Sequence, residues 1–282
     1  MLIFNKKAEL NKHLKSIEGQ NSTLGFVPTM GALHSGHLSL LEQSILNNSQ
    51  TIISIFVNPT QFNNPEDLEK YPRTLENDIE KIKSISSEIL VYAPTIDDIY
   101  EGKTASQHFD FDGLENQMEG KFRPGHFDGV GTVVKRLLKI VKPTNAYFGE
   151  KDFQQLQIVK KLVSKENIPV TIVECPIYRE PNGLAMSSRN ERLSEEERSK
   201  AGFIFEILSE AKNIFKSESA EEVSNFVRKS FEKHPEFELE YFEIADETYL
   251  LPCISKNENL NYRAFIAVFI NKTRLIDTIS LK

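Results

Sequence analysis

Cysteine is scarce. Cys175 and Cys253 stand far apart in the 282 residues and form no C-x-x-C pair, which excludes a disulfide scaffold or a zinc ribbon and fits a reducing cytoplasm. Long apolar runs are missing: no stretch approaches the ~20 residues of a membrane span. The apolar start of MLIFNKKAELNKHLKS is too short for a signal-peptide core, and its lysines follow rather than precede it. Positive charge is also short. Lys and Arg number 34 against 41 Asp and Glu, a formal charge of −7, so the basic face that a nucleic acid requires is not expected. Neither G-x-x-x-x-G-K-[ST] nor a strand-linked G-x-G-x-x-G occurs, and H-E-x-x-H is absent. The remainder is ordinary for a globular chain: 39% hydrophobic and 27% charged residues exclude disorder, and the length suggests two domains.

Strand and helix signals alternate through the first two thirds. Strands are expected at Thr23–Val27 (closed by Pro28), Thr51–Val57, Ile89–Ala93, Ala146–Gly149 and Val170–Cys175. The run TIISIFV is apolar without alternation, as in a strand buried on both faces. Helices are expected at Gly36–Asn47, Arg73–Ser86, Gly129–Val141 and Phe153–Lys165; Val130, Val133, Val134, Leu137, Leu138 and Val141 make the clearest apolar stripe. Such alternation implies right-handed βαβ units. The fold class is therefore α/β, a Rossmann-like doubly wound parallel sheet over residues 1–176. A smaller α+β domain over 177–282 follows, with helices at Glu195–Phe215 and Ala220–Lys233 before strands at Phe237–Ile244, Ala264–Ile270 and Leu275–Ser280.

Five segments carry chemistry. Met30, Gly31, Ala32, Leu33, His34, Ser35, Gly36 and His37 join a strand to a helix, where free N–H groups and the helix dipole suit phosphate and two imidazoles add donors. The same residues also read as a plain joint with surface histidines. Asn58 and Gln61 stand at the exit of the most apolar strand, where a carboxamide offers one donor and one acceptor; an Asn-Pro turn is the ordinary alternative. Glu119 to Gly129, including Arg123 and His126, reads equally as a mobile flap over an anion or as a solvated connection with Asp128 as helix N-cap. Gly149, Glu150, Lys151 and Asp152 again follow a strand; Lys151 suits phosphates, Asp152 suits ribose hydroxyls, and Gln155 lies one turn on. Met186, Ser187, Ser188 and Arg189 place hydroxyls beside a guanidinium, a clamp for phosphate oxygens or a polar linker. Local positive charge in an acidic chain points to a specific anionic ligand.

The segments PTMGALHSGH, VNPTQF, YPRT, RPGHFDGV, FGEKDFQQL and LAMSSRN stand in the order and approximate spacing of the pantothenate synthetases (pantoate–β-alanine ligases), which this chain resembles from about residue 23 to 192. The resemblance places it among the H-x-G-H nucleotidyl-transferases. It implies ATP as substrate with Mg²⁺, attack of the pantoate carboxylate on the α-phosphorus, and capture of pantoyl-adenylate by β-alanine. By motif matching, Met30 to His37, Gly149 to Asp152, Tyr178 and Met186 to Arg189 hold ATP, and His37, His34 and Lys151 are the catalytic groups. Gln61 and Gln155 bind pantoate, with Gln61 near the amine's approach; Asn58, Tyr71, Arg123 and His126 stand behind them. Tyr178 departs from the smaller side chain usual in the family: a backbone contact leaves the adenine pocket unchanged, an inward ring reshapes it. Met118 to Lys121 also make an unusual approach to the flap. The resemblance also implies a homodimer joined chiefly through the first domain. The alternatives are AMP transfer to a phosphate ester, disfavoured because glutamines rather than arginines attend the acceptor, and a non-catalytic nucleotide sensor, which has no use for His34, His37, Lys151 and Arg189 together.

Overall fold

The computed structural model describes residues 1–17, 19, 22–62 and 65–282. Among these residues the strands form two sheets. The first is parallel throughout, with β1 (Ile3–Phe4), β2 (Leu24–Thr29), β3 (Gln50–Ile55), β4 (Leu90–Tyr92), β5 (Asn145–Gly149) and β6 (Thr171–Cys175) in the order β1-β4-β3-β2-β5-β6. Helices connect them, as expected of a doubly wound fold. Adjacent residues point to opposite faces. Phe26, Ile52 and Leu90 join one apolar cluster with the helices His126–Val141 and Phe153–Lys165, while Val27, Ile53 and Val91 join another beneath the helix Ser35–Asn47. Burial on both faces is why these strands read as continuous apolar runs.

The second sheet is antiparallel, in the order β7 (Phe237–Asp246), β8 (Tyr262–Ile270) and β9 (Thr273–Ser280). Helices Phe203–Phe215 and Ala220–Glu232 cover one face. From the other, Phe265 joins the core of the first sheet, and the Arg263 guanidinium lies over the Phe153 ring at 4.0 Å. Among the described residues no helix is long and apolar enough to cross a membrane.

The structure revises several sequence expectations. β2 runs through Pro28 to Thr29 instead of stopping at it. Leu24 bonds across to Thr144 on the β5 side, so by the two-residue period Pro28 faces that side as well. Pairing with β5 ends at Phe26, so the missing proline N–H costs no rung. The helix at 195–215 is two helices, Glu195–Lys200 and Phe203–Phe215. A Cβ on Gly202 would lie 2.5 Å from the Asn182 carbonyl oxygen, and the Asn182 side chain donates to the carbonyls of Arg198 and Ser199, closing the first helix. The helix expected at Gly129 starts at His126 with Gly125 as its N-cap, so Asp128 is not the cap; its carboxylate accepts instead from the Phe109 amide.

Candidate active site

β2 and β5 are the strands at which the chain order reverses direction across the sheet, the place where ligands bind in open α/β folds. They pair only at Gly25–Asn145 and Phe26–Ala146. Val27 to Thr29 and Tyr147 to Gly149 therefore run past the last rung, and a cleft of about 240 Å³ opens beyond it. Met30, His34, Gly36 and His37 enter from the end of β2, and Gly149, Lys151 and Asp152 from the end of β5. Asn58 and Gln61 come from the end of β3, Tyr71 from just past the short helix Pro65–Glu69, Gln155 from the helix after β5, and Tyr178 with Met186 to Arg189 from the crossing to the second sheet. Arg123 and His126 line a smaller hollow of about 30 Å³ that shares Lys151, Asp152 and Gln155 with the first.

Five of the residues assigned to ATP do not line the cleft: Gly31, Ala32, Leu33, Ser35 and Glu150. The Leu33 side chain is buried in the apolar cluster, and Glu150 pairs with Arg263 at 3.0 Å. Nor are all the amides at this joint free, as the phosphate reading expects. Those of Ala32 and Leu33 donate to the Asp78 carboxylate at 2.9 and 2.7 Å.

The His34 and His37 rings lie 4.0 Å apart, and the His34 amide donates to His37 Nδ1, leaving His37 Nε2 as the donor. Burial first, then the neighbouring His37, Lys151 and Lys81 charges, holds His34 at about 2. Burial likewise pulls His37 down to about 4 against the opposing Asp152, with Lys151 and Lys81 adding to the fall. Both imidazoles are therefore neutral donors at neutral pH. Below the ordinary value of 6.5 the unfolded chain takes up protons that the folded chain refuses, so stability is expected to fall as the pH drops from about 6.5 towards 4. Proton NMR of the free protein checks this: the His37 ring protons should titrate near pH 4, and a midpoint near 6.5 would contradict it.

Gln61 is held in place by its neighbours. Its Oε1 accepts from Asn58 Nδ2 at 3.1 Å, its Nε2 donates to the Met30 sulfur, and its carbonyl lies 2.8 Å from His126 Nδ1. Asn58 is itself buried, bonded to the Tyr100 hydroxyl and the Gly129 carbonyl. Of the glutamine pair, Gln155 faces the cleft, while Gln154 is buried and bonds the Leu114 and Gln117 carbonyls and the Glu119 amide. That fastening bears on the expected flap. Met118–Phe122 is a short helix, and Glu119 within it is buried and bonded by Arg274 at 2.7 and 2.8 Å and by Tyr241 at 2.8 Å. Burial opposes its charge, yet Arg274 and Arg123 hold its carboxyl at about 2. Through Glu119 the segment is thus tied to the second sheet, while Lys121, Phe122, Pro124 and Gly125 are exposed.

The loop on the far wall is equally fixed. The Met186 amide donates to the Tyr178 carbonyl, so that carbonyl already has a partner, while Tyr178 as a whole is 47% exposed and lines the cleft. Ser187 accepts from the Arg189 amide, and the Ser188 hydroxyl lies 3.3 Å from that of Tyr71. The sequence reading missed the apolar wall of Val130, Val133, Val134 and Leu137, because a helical stripe reads as core whether it faces core or cleft. Among the described residues, no three His, Cys, Asp or Glu side chains gather to hold a metal ion.

The described geometry agrees with what the chain matches. The family model of pantoate–β-alanine ligase covers residues 2–280. A pantothenate synthetase of Flavobacterium psychrophilum is 64% identical over 282 residues, the full length of both chains. One of Christiangramia forsetii is 52% identical over 281 residues, covering 100% of this chain and 99% of its own. The crystal structure of the Thermus thermophilus pantothenate synthetase superposes with a TM-score of 0.89 at 37% identity, covering 100% of this chain and 99% of its own. The Francisella tularensis pantoate–β-alanine ligase, solved in complex with β,γ-ATP and β-alanine, gives a TM-score of 0.80 at 37% identity over 100% and 98% of the two chains. The chain belongs to the pantoate–β-alanine ligase family.

Proposed function

We propose that this protein condenses (R)-pantoate with β-alanine at the expense of ATP, through a pantoyl-adenylate. The observation that carries the reading is the convergence of His34, His37, Lys151, Gln61 and Gln155 on one cleft with an apolar wall. ATP enters with its Mg²⁺ as the substrate complex. His34, His37 and Lys151 face its phosphates, and Met186 to Arg189 close over the nucleotide. Val130, Val133, Val134 and Leu137 suit the two methyl groups of pantoate, and the carboxamides of Gln61 and Gln155 suit its hydroxyls and carboxylate.

In the first step a pantoate carboxylate oxygen bonds to the α-phosphorus and the bond to pyrophosphate breaks. Neutral imidazole N–H groups and the Lys151 ammonium stabilise the charge that builds on the α-phosphate oxygens. In the second step the free amine of β-alanine attacks the acyl carbon, AMP leaves, and the amine gives up a proton. No enzyme nucleophile is needed; alignment of the reactants supplies the rest of the rate. The two lobes, 1–176 and 177–282, work as a site and its cover, and a homodimer in the cytoplasm is part of the same reading.

Exchange of labelled pyrophosphate into ATP tests it. Exchange should require pantoate and proceed without β-alanine. Exchange without pantoate, or with a phosphate ester in its place, would overturn the reading.

A further inference from the structure

The helix Leu75–Ile85 follows the YPRT segment and contributes nothing to the lining of the cleft, yet it carries two charged side chains aimed at the turn before His34. Asp78 is fully buried. One carboxylate oxygen accepts from the Ala32 amide at 2.9 Å and the other from the Leu33 amide at 2.7 Å. One helical turn on, the Lys81 ammonium donates to the Leu33 carbonyl at 2.6 Å. The two side chains grip the backbone from both ends of Leu33. The gripped turn is one that the chain does not adopt readily. Ala32 has φ +50°, in the left-handed region that disfavours a residue with a Cβ. A turn of this kind persists where its surroundings over-determine it.

We propose that Asp78 and Lys81 are positioning residues for adenylate formation: by holding the Ala32–Leu33 backbone in its left-handed turn they set the direction in which Met30, His34 and His37 enter the cleft. Neither lines the cleft. The proposal rests on the ligase reading for its consequence, not for its geometry. Asp78 is suited to the task because a carboxylate presents only acceptors, so both amides are satisfied at once. In Asp78→Asn one end of the side chain becomes a donor, and one amide is left facing it. Lys81 supplies the Leu33 carbonyl with a donor, which a carboxylate does not have.

Two measurements on the full-length protein decide the matter. The first is hydrogen exchange by NMR. The Ala32 and Leu33 amides should be protected in the native protein, and in Asp78→Asn they should exchange at least about tenfold faster while core amides such as that of Val27 keep their rates. Global destabilisation would raise all of them together. The second is the rate of pantoate-dependent adenylate formation. Misplacement of the imidazoles by a fraction of an ångström is expected to cost about 100-fold in kcat, with KM for ATP within about threefold. If Asp78→Asn does not fold, Lys81→Met carries the test: it should lose about tenfold in kcat, and Lys81→Arg, which restores a donor to the Leu33 carbonyl, should regain most of it. Unprotected Ala32 and Leu33 amides in the native protein, a normal kcat in either variant, or a loss confined to KM would overturn the proposal. A native protein without pantoate-dependent exchange would instead sink the ligase reading, while the amide rates would still decide whether the clamp exists.

Discussion

Lys151→Ala is expected to lose at least about 100-fold in the rate of adenylate formation while remaining folded, since removal of one preorganised donor to a developing anion typically costs this much. The ammonium sits on the short turn Glu150–Asp152 between β5 and the helix after it, with Asp152 at 3.7 Å. Asp152 is about half exposed, so water solvates it once the lysine is gone, and no buried charge is stranded. A second readout separates this role from loss of structure. Lys151 depresses both imidazoles, so in the alanine variant His34 and His37 should titrate at higher pH than in the native protein. Near-normal single-turnover adenylation, or histidine titrations that do not move, would contradict the role given to Lys151.

Gly129→Ala should damage pantoate binding from a position that contacts no substrate. A Cβ there would lie 2.2 Å from the Thr60 carbonyl oxygen and 2.7 Å from the Gln61 Cα, both backbone atoms that cannot step aside alone. The helix His126–Val141 must back away from the turn that carries Gln61, and the bond from Asn58 to the Gly129 carbonyl stretches with it. Overpacking of this kind costs about 1–3 kcal/mol of stability. Displacement of the carboxamide should weaken pantoate binding by about 10-fold to 100-fold. Calorimetric titration should show that loss with pantoate and a much smaller change with a non-hydrolysable ATP analogue, whose proposed contacts lie on the other walls. Equal losses for both ligands would mean that the whole cleft had shifted, and unchanged pantoate affinity would refute the close-approach argument.

Local sequence carried much of the fold. The helix Phe153–Lys165 is found with its expected ends, and TIISIFV supplies most of a strand buried on both faces, though that strand runs from Gln50 to Ile55 and leaves Phe56 and Val57 beyond its end. Where expectation and structure part, the cause is a contact made far along the chain. Pro28 did not end its strand because β5 withdraws from that side of it. The break at Gly202 comes from Asn182, a turn in another segment. The two-residue strand Ile3–Phe4 and the helix Lys7–Ile17 went unread; a strand that short carries no pattern, and it exists through pairing with β4.

The site divides in the same way. Imidazoles, ammonium and carboxamides announce themselves as types, and their places after strands suggest a shared edge. Their partners do not. Nothing in the spacing tells that Glu119 is claimed by Arg274, 155 residues away, or that Asp78 holds the amides of a turn 45 residues before it. Sequence alone determined most of the segments that become strand or helix and which side chains bring donors and charge, because those properties reside largely in a residue and its near neighbours. The tertiary structure decided which of those groups share a cleft, which are spent on one another, and that the two histidines remain neutral, because burial and the fields of neighbouring charges exist only once distant segments have packed together.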